Sequence, residues 1–131
     1  MAEWFVDPAV ERLSLSDGQF IDVKKQLSHG ESDDMFDRMA PYVVPGQPVQ
    51  MKSREVRTAK VFSYLVGWSL MRHGKPVPMG PEVPDSERLG AINALAPERF
   101  TEIFKAIDAH EDRVEALTKN EPNGASAEET T

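Results

Sequence analysis

Val10-Glu11-Arg12-Leu13-Ser14-Leu15-Ser16-Asp17-Gly18-Gln19-Phe20-Ile21-Asp22-Val23-Lys24-Lys25-Gln26-Leu27-Ser28-His29-Gly30-Glu31 is the stretch on which the fold turns. Its first six residues alternate, with Val10, Arg12 and Ser14 on one side and Glu11, Leu13 and Leu15 on the other. Residues 20–25 alternate again, with Ile21 and Val23 set against Asp22 and Lys24. Ser16-Asp17-Gly18 lies between the two runs, and glycine accepts positive φ without steric cost, so the pattern predicts a β-hairpin. Ser28 and Glu31 then have the spacing of a capping box. The Ser28 hydroxyl can accept from the Glu31 N–H while the Glu31 carboxylate accepts from the Ser28 N–H. A hairpin handed straight to a capped helix is the local prediction. Two strands alone are marginal in water, so their apolar face needs helices or another chain.

Working outward from this segment, Asp33 and Asp34 follow Glu31 in the first turns of the helix, where its dipole favours negative charge. Met35, Phe36 and Met39 supply an apolar stripe before Pro41 ends it. Pro41, Pro45, Gly46 and Pro48 make residues 41–52 a loop. Ser53 is the predicted N-cap of a central helix over 53–70, whose Val61, Phe62, Tyr64, Leu65, Val66 and Trp68 make it the most apolar. Within it, Gly67 implies close approach of another element. Gly74, in Arg72-His73-Gly74-Lys75-Pro76, is read as its left-handed cap. After a proline-rich connector, Asp85 or Ser86 caps a short helix bearing Leu89, Ile92 and Leu95. Pro97-Glu98 starts the last one, striped with Phe100, Ile103, Phe104, Ile107, Val114 and Leu117. Ahead of the hairpin, Trp4, Phe5 and Val6 are available to pin the lead-in. The expected fold is α+β and mostly α: an N-terminal hairpin packed on a bundle of about four helices. Residues 1–117 form the expected single domain, with 118–131 as a disordered acidic tail. Leu65 and Trp68 are expected in the core against Ile103 and Ile107.

Composition narrows the function classes. The chain of 131 residues is 40% hydrophobic and 28% charged, as in an ordinary globular domain. It has no cysteine, which excludes disulfides, thiolate metal sites and cysteine catalysis. The first residues lack the basic and apolar regions of a signal peptide, and no apolar run approaches the roughly 20 residues that span a bilayer. A cytoplasmic setting with no membrane contact is therefore expected. Net charge is −7, which disfavours nucleic acid as a partner.

A search for chemistry nominates no catalytic, cofactor-binding or metal-binding residue. His29, His73 and His110 form no HxxxH or HExxH spacing and read as exposed, solvated side chains. Asp108, Glu111, Asp112 and Glu115 recur at helical spacing, but Lys105 and Arg113 interleave, which describes a solvated face. There is no GxSxG elbow and no phosphate-binding glycine cluster. Lys52, Arg54, Arg57 and Lys60 crowd the start of the central helix, with Lys24 and Lys25 nearby. Pairing with the Glu31–Asp37 segment or an acidic protein surface suits this cluster better than a phosphate backbone does.

Taken in order, the hairpin "V-E-R-L-x-L-x-D-G-x-F-I-D-V-K-K-x-L-S-x-G-E", the segment "Y-L-V-G-W-S-L", the turn "G-K-P-V-P" and "L-A-P-E-R-F-T-E-I-F-K-A-I-D-A-H" resemble the tail assembly chaperones of long-tailed, siphovirus-type bacteriophages and prophages. The resemblance spans roughly residues 10 to 110. It implies a small acidic protein without catalysis that binds the tape measure protein in the host cytoplasm until tail tube subunits replace it. Asp17, Gly18, Leu27, Gly30, Glu31, Trp68 and Gly74 match the family pattern, mostly in structural roles. Met71-Arg72-His73-Gly74 departs from it, since acidic residues are expected there. The alternative expectation is a structural virion protein, a head-tail connector or minor tail component, forming homo-oligomers through the hairpin edge.

Overall fold

The computed structural model describes residues 4–42, Gly46 and 54–119. Strands β1 (Val10–Ser14) and β2 (Phe20–Lys24) form the hairpin, and helix α1 (His29–Met39) follows. Helix α2 (Arg54–Tyr64) runs directly into β3 (Leu65–Trp68). A small second hairpin, β4 (Met71–Arg72) and β5 (Lys75–Pro76), precedes α3 (Asp85–Asn93) and α4 (Pro97–Lys119). The fold is α+β and mostly α, with four helices among the described residues.

The first hairpin forms as its pattern predicts. Leu13 faces Ile21 and Glu11 faces Val23, so the alternating apolar side chains share one face. Leu13, Ile21 and Val23 are buried on it. Asp17 (φ 58°) and Gly18 (φ 73°) take the left-handed backbone of the turn. Ser28 and Glu31 make both bonds of the capping box, at 3.3 and 2.9 Å.

The expected central helix over 53–70 is corrected. Its helical part ends at Tyr64, and residues 65–68 become a third strand, antiparallel to β2 on the side away from β1. Two strands alone would leave the backbone of β2 half paired, whereas continuing the helix through Gly67 would be unfavourable. Pairing along β2 outweighs local propensity. Asp22 faces Gly67 and Val23 faces Leu65, which leaves Val66 as the extra residue of a bulge. Gly67 does meet a close approach: a Cβ there would lie 3.4 Å from Asp22 Oδ2. Arg88 satisfies carbonyls freed at the end of α2, donating to Phe62 O and Leu65 O.

Three smaller expectations change. Gly74 does not cap a helix; with His73 it forms the turn of the second hairpin, both residues at positive φ (53° and 77°). Pro84 occupies the N-cap of α3, with Asp85 already in its first turn. Trp4 and Phe5 stay largely exposed. Pro97 opens α4 as expected, and the helix backbone continues through Lys119, two residues into the segment expected as tail. The tail from Asn120, most of the 41–52 loop, Lys52 and the Ser53 cap lie outside the described residues.

Leu13, Ile21 and Val23 of the sheet pack with Val61, Phe62, Tyr64 and Leu65, with Met79 and Ile92, and with Ile103 and Ile107 of α4. Leu65 is in this cluster as expected, while Trp68 packs against it partly buried. Met35 and Met39 of α1 make a second cluster with Val56 and Ala59 of α2, and Leu27 touches both.

Candidate partner-binding groove

Between the first hairpin turn, the second hairpin, α3 and the start of α4 runs an open groove of about 670 Å³. Leu15, Trp68, Leu70, Val77, Leu95 and Ile103 give it apolar lining, and Gly90, Ala91 and Ala94 keep the α3 wall low. Trp68 is held by its indole N–H, which donates to Val77 O at 2.8 Å. Ser69, next in the chain, accepts from Phe20 N–H and donates to Gln19, tying the groove floor to the sheet.

Four residues of the rim, Ser16, Asp17, Arg99 and Glu102, are committed to one another. Glu102 accepts from the backbone N–H and the hydroxyl of Ser16, at 2.7 and 2.9 Å. These bonds, the backbone one foremost, hold the Glu102 carboxyl below its ordinary pKa. Arg99 donates to Ser16 Oγ at 2.8 Å and to Asp17 at 2.9 Å. A groove with an apolar floor and a self-paired rim suits an apolar side chain better than a reacting group.

The titratable residues fall elsewhere. His29 and His73 are exposed, but the reading of His110 as solvated is corrected, because it is fully buried. Its Nε2 lies 3.2 Å from Lys24 O and 3.0 Å from Lys25 O. Carbonyls only accept, so Nε2 carries a proton and donates. Nδ1 lies 3.5 Å from Glu11 Oε2, and the ring meets Tyr64 edge-on. The burial follows from position: three residues past Ile107, His110 continues the buried face of α4.

The carboxylate run on α4 is corrected at two of its four positions, since Asp112 and Glu115 are exposed as read whereas Asp108 and Glu111 are half-buried. Asp108 and Glu111 each accept from the buried Lys60 ammonium at 2.6 Å, and Glu111 also accepts from the Tyr64 hydroxyl at 2.8 Å. Burial and the Glu111 bond push the Tyr64 pKa upward. The basic cluster is thereby divided. Lys60 pairs with α4, Arg57 lies over Phe100 and Phe104, and Lys24 pairs with Glu31 as expected. Among the described residues no three His, Cys, Asp or Glu side chains converge as a metal site, and no helix is long and apolar enough to cross a membrane.

Of the positions matching the chaperone pattern, Asp17 and Trp68 meet in the groove. Leu27 joins the two cores, and Gly30 and Glu31 start α1. The groove itself was not legible in the sequence, since its walls lie far apart in the chain and are joined by β3 and by the bonds of Arg99 and Glu102 to the first hairpin turn. Comparison of the chain with protein-family models, curated proteins and solved structures returned no match.

Proposed function

We propose that this protein is a phage tail assembly chaperone, a binding protein without catalysis. It would hold the tape measure protein in the host cytoplasm until tail tube subunits take its place. The observation that carries this reading is the order and spacing of the quoted segments across residues 10 to 110. The apolar floor around Trp68 supports it, because a long helical partner presents apolar side chains that such a groove accepts. A net charge of −7 supports it too, by keeping a protein with open apolar surface soluble. Co-expression with the tape measure protein of the same genome is the test. Co-purification and a rise in the partner's soluble yield are expected; failure of both overturns the reading.

One observation favours a structural virion subunit instead. Leu15 pairs with Gln19 and Lys25 with Ala9 through the backbone, so the odd residues of β1 face β2. Val10, Arg12 and Ser14 therefore turn their backbone groups outward, with no partner among the described residues. Such an edge can extend a sheet across subunits. A stable ring on size-exclusion chromatography supports that reading; a monomer or labile small oligomer supports the chaperone.

A further inference from the structure

We propose that Trp4 and Phe5 of one copy of this chain seat in the Trp68 groove of a second copy. Residues 4–9 form an arm ahead of β1, and on it Trp4 is 90% and Phe5 83% exposed. No other large apolar side chain described is as exposed. Burying an aromatic side chain removes about 150–250 Å² from water, so two adjacent ones in solvent mark an interaction surface. The groove fits the pair. At about 670 Å³ it falls within the roughly 300–1,000 Å³ of pockets that enclose small molecules. Leu15, Trp68, Leu70, Leu95 and Ile103 offer apolar contacts to the rings, and Ala94 leaves room above α3. Neither Trp4 nor Phe5 lines it in its own chain.

Reach selects the second copy. The arm joins the sheet at Ala9, whose carbonyl accepts from Lys25 N–H at the open end of the first hairpin. The groove lies toward the turn end, beside Leu15, Ser16 and Asp17. Its central Trp68 faces Ile21 of β2, which in turn faces Leu13 of β1. Four residues along β1 and two strand spacings across the sheet place Trp68 about 16 Å from Ala9. The four residues from Ala9 back to Phe5 span at most about 14 Å, and the bond from Ala9 N–H to Asp7 O at 2.7 Å shortens them. The backbone of Phe5 therefore stops short of the groove of its own chain, whereas a second copy can bring its groove to the arm. Net charge opposes the contact, since two copies at −7 repel one another, so apolar burial has to drive it. The inference does not rest on the chaperone reading: it concerns the chain with itself, and the outcome of the co-expression test leaves it standing.

Sedimentation equilibrium of the full chain is the test. It is expected to show weak self-association that tightens as salt rises from roughly 0.05 to 0.5 M and screens the repulsion. Trp4→Ala together with Phe5→Ala should weaken it about tenfold or more. Ala94→Trp, which fills the groove from an exposed position, should do the same, with the melting temperature of each variant as the check on folding. The decisive sample mixes the two variants. One keeps only its groove and the other only its arm, so the mixture is expected to pair one to one although neither variant associates alone. A native chain that stays monomeric at every concentration and salt overturns the proposal and leaves the groove to another protein. Association that survives the arm substitutions, as pairing between β1 edges would, overturns it as well, and so does a mixture that remains monomeric.

Discussion

Lys60 stands at helical spacing with Arg57 in a basic stretch of sequence, yet its ammonium lies inside the molecule, 2.6 Å from both Asp108 and Glu111. Burial acts against the charge, but the two carboxylate bonds outweigh it and raise the pKa above the ordinary lysine value. Removing a partner from a fully buried pair costs about 3–5 kcal/mol. Here the carboxylates keep solvent access, so Lys60→Ala should cost about 2 kcal/mol by urea denaturation, and Lys60→Met less, because it refills the volume. His110 makes the same point through its Nε2–H, which donates to backbone carbonyls. His110→Phe keeps the ring but strands the Lys24 and Lys25 carbonyls, so a loss of about 1–3 kcal/mol is expected in the same measurement. Neither partner set is legible locally, since Lys60 and Asp108 are 48 positions apart and His110 and Lys24 are 86.

At the scale of elements, the Ser28–Glu31 box starts α1 and joins it to the hairpin through Lys24, which donates to Glu31 at 2.7 Å. Ser28→Ala should cost about 1 kcal/mol. Lys24 first, then the Ser28 N–H, hold the Glu31 carboxyl below its ordinary 4.5. A depressed carboxylate contributes stability above its unfolded pKa and loses it as pH falls through the folded value. The stability gap between the native chain and Glu31→Gln should therefore be constant near neutrality and close below about pH 4.5. The second hairpin offers a backbone test: Gly74 sits at φ 77°, so Gly74→Ala should cost about 1 kcal/mol. Here the sequence was readable but misread. His73-Gly74 is a two-residue turn between short strands, and the apolar run ahead of it suggested a helix end.

For the whole molecule, α4 is the element that closes the core. Ile103 and Ile107 reach the sheet, α2 and α3 in one cluster. Ile107→Ala should cost about 2–5 kcal/mol, and unfolding should remain a single transition. In a Trp4→Phe background, Trp68 fluorescence reports the sheet and far-ultraviolet circular dichroism reports the helices. Coincident midpoints are expected, and separated ones would show that the sheet and bundle unfold independently.

What the sequence determined alone was whatever depends on neighbours in the chain: the hairpin and its register, the capping box, the proline that opens α4 and the spacing of Ile103 and Ile107. These follow from φ preferences, two-residue and 3.6-residue periods, and bonds over three or four positions. Tertiary structure decided where α2 stops, because residues 65–68 can be helix or strand until the free edge of β2 offers them a ladder. It also decided that Lys60 and His110 lie inside and that an apolar groove stays open around Trp68. Each of these depends on groups brought together over tens of residues, where burial and charge pairing outweigh local preference.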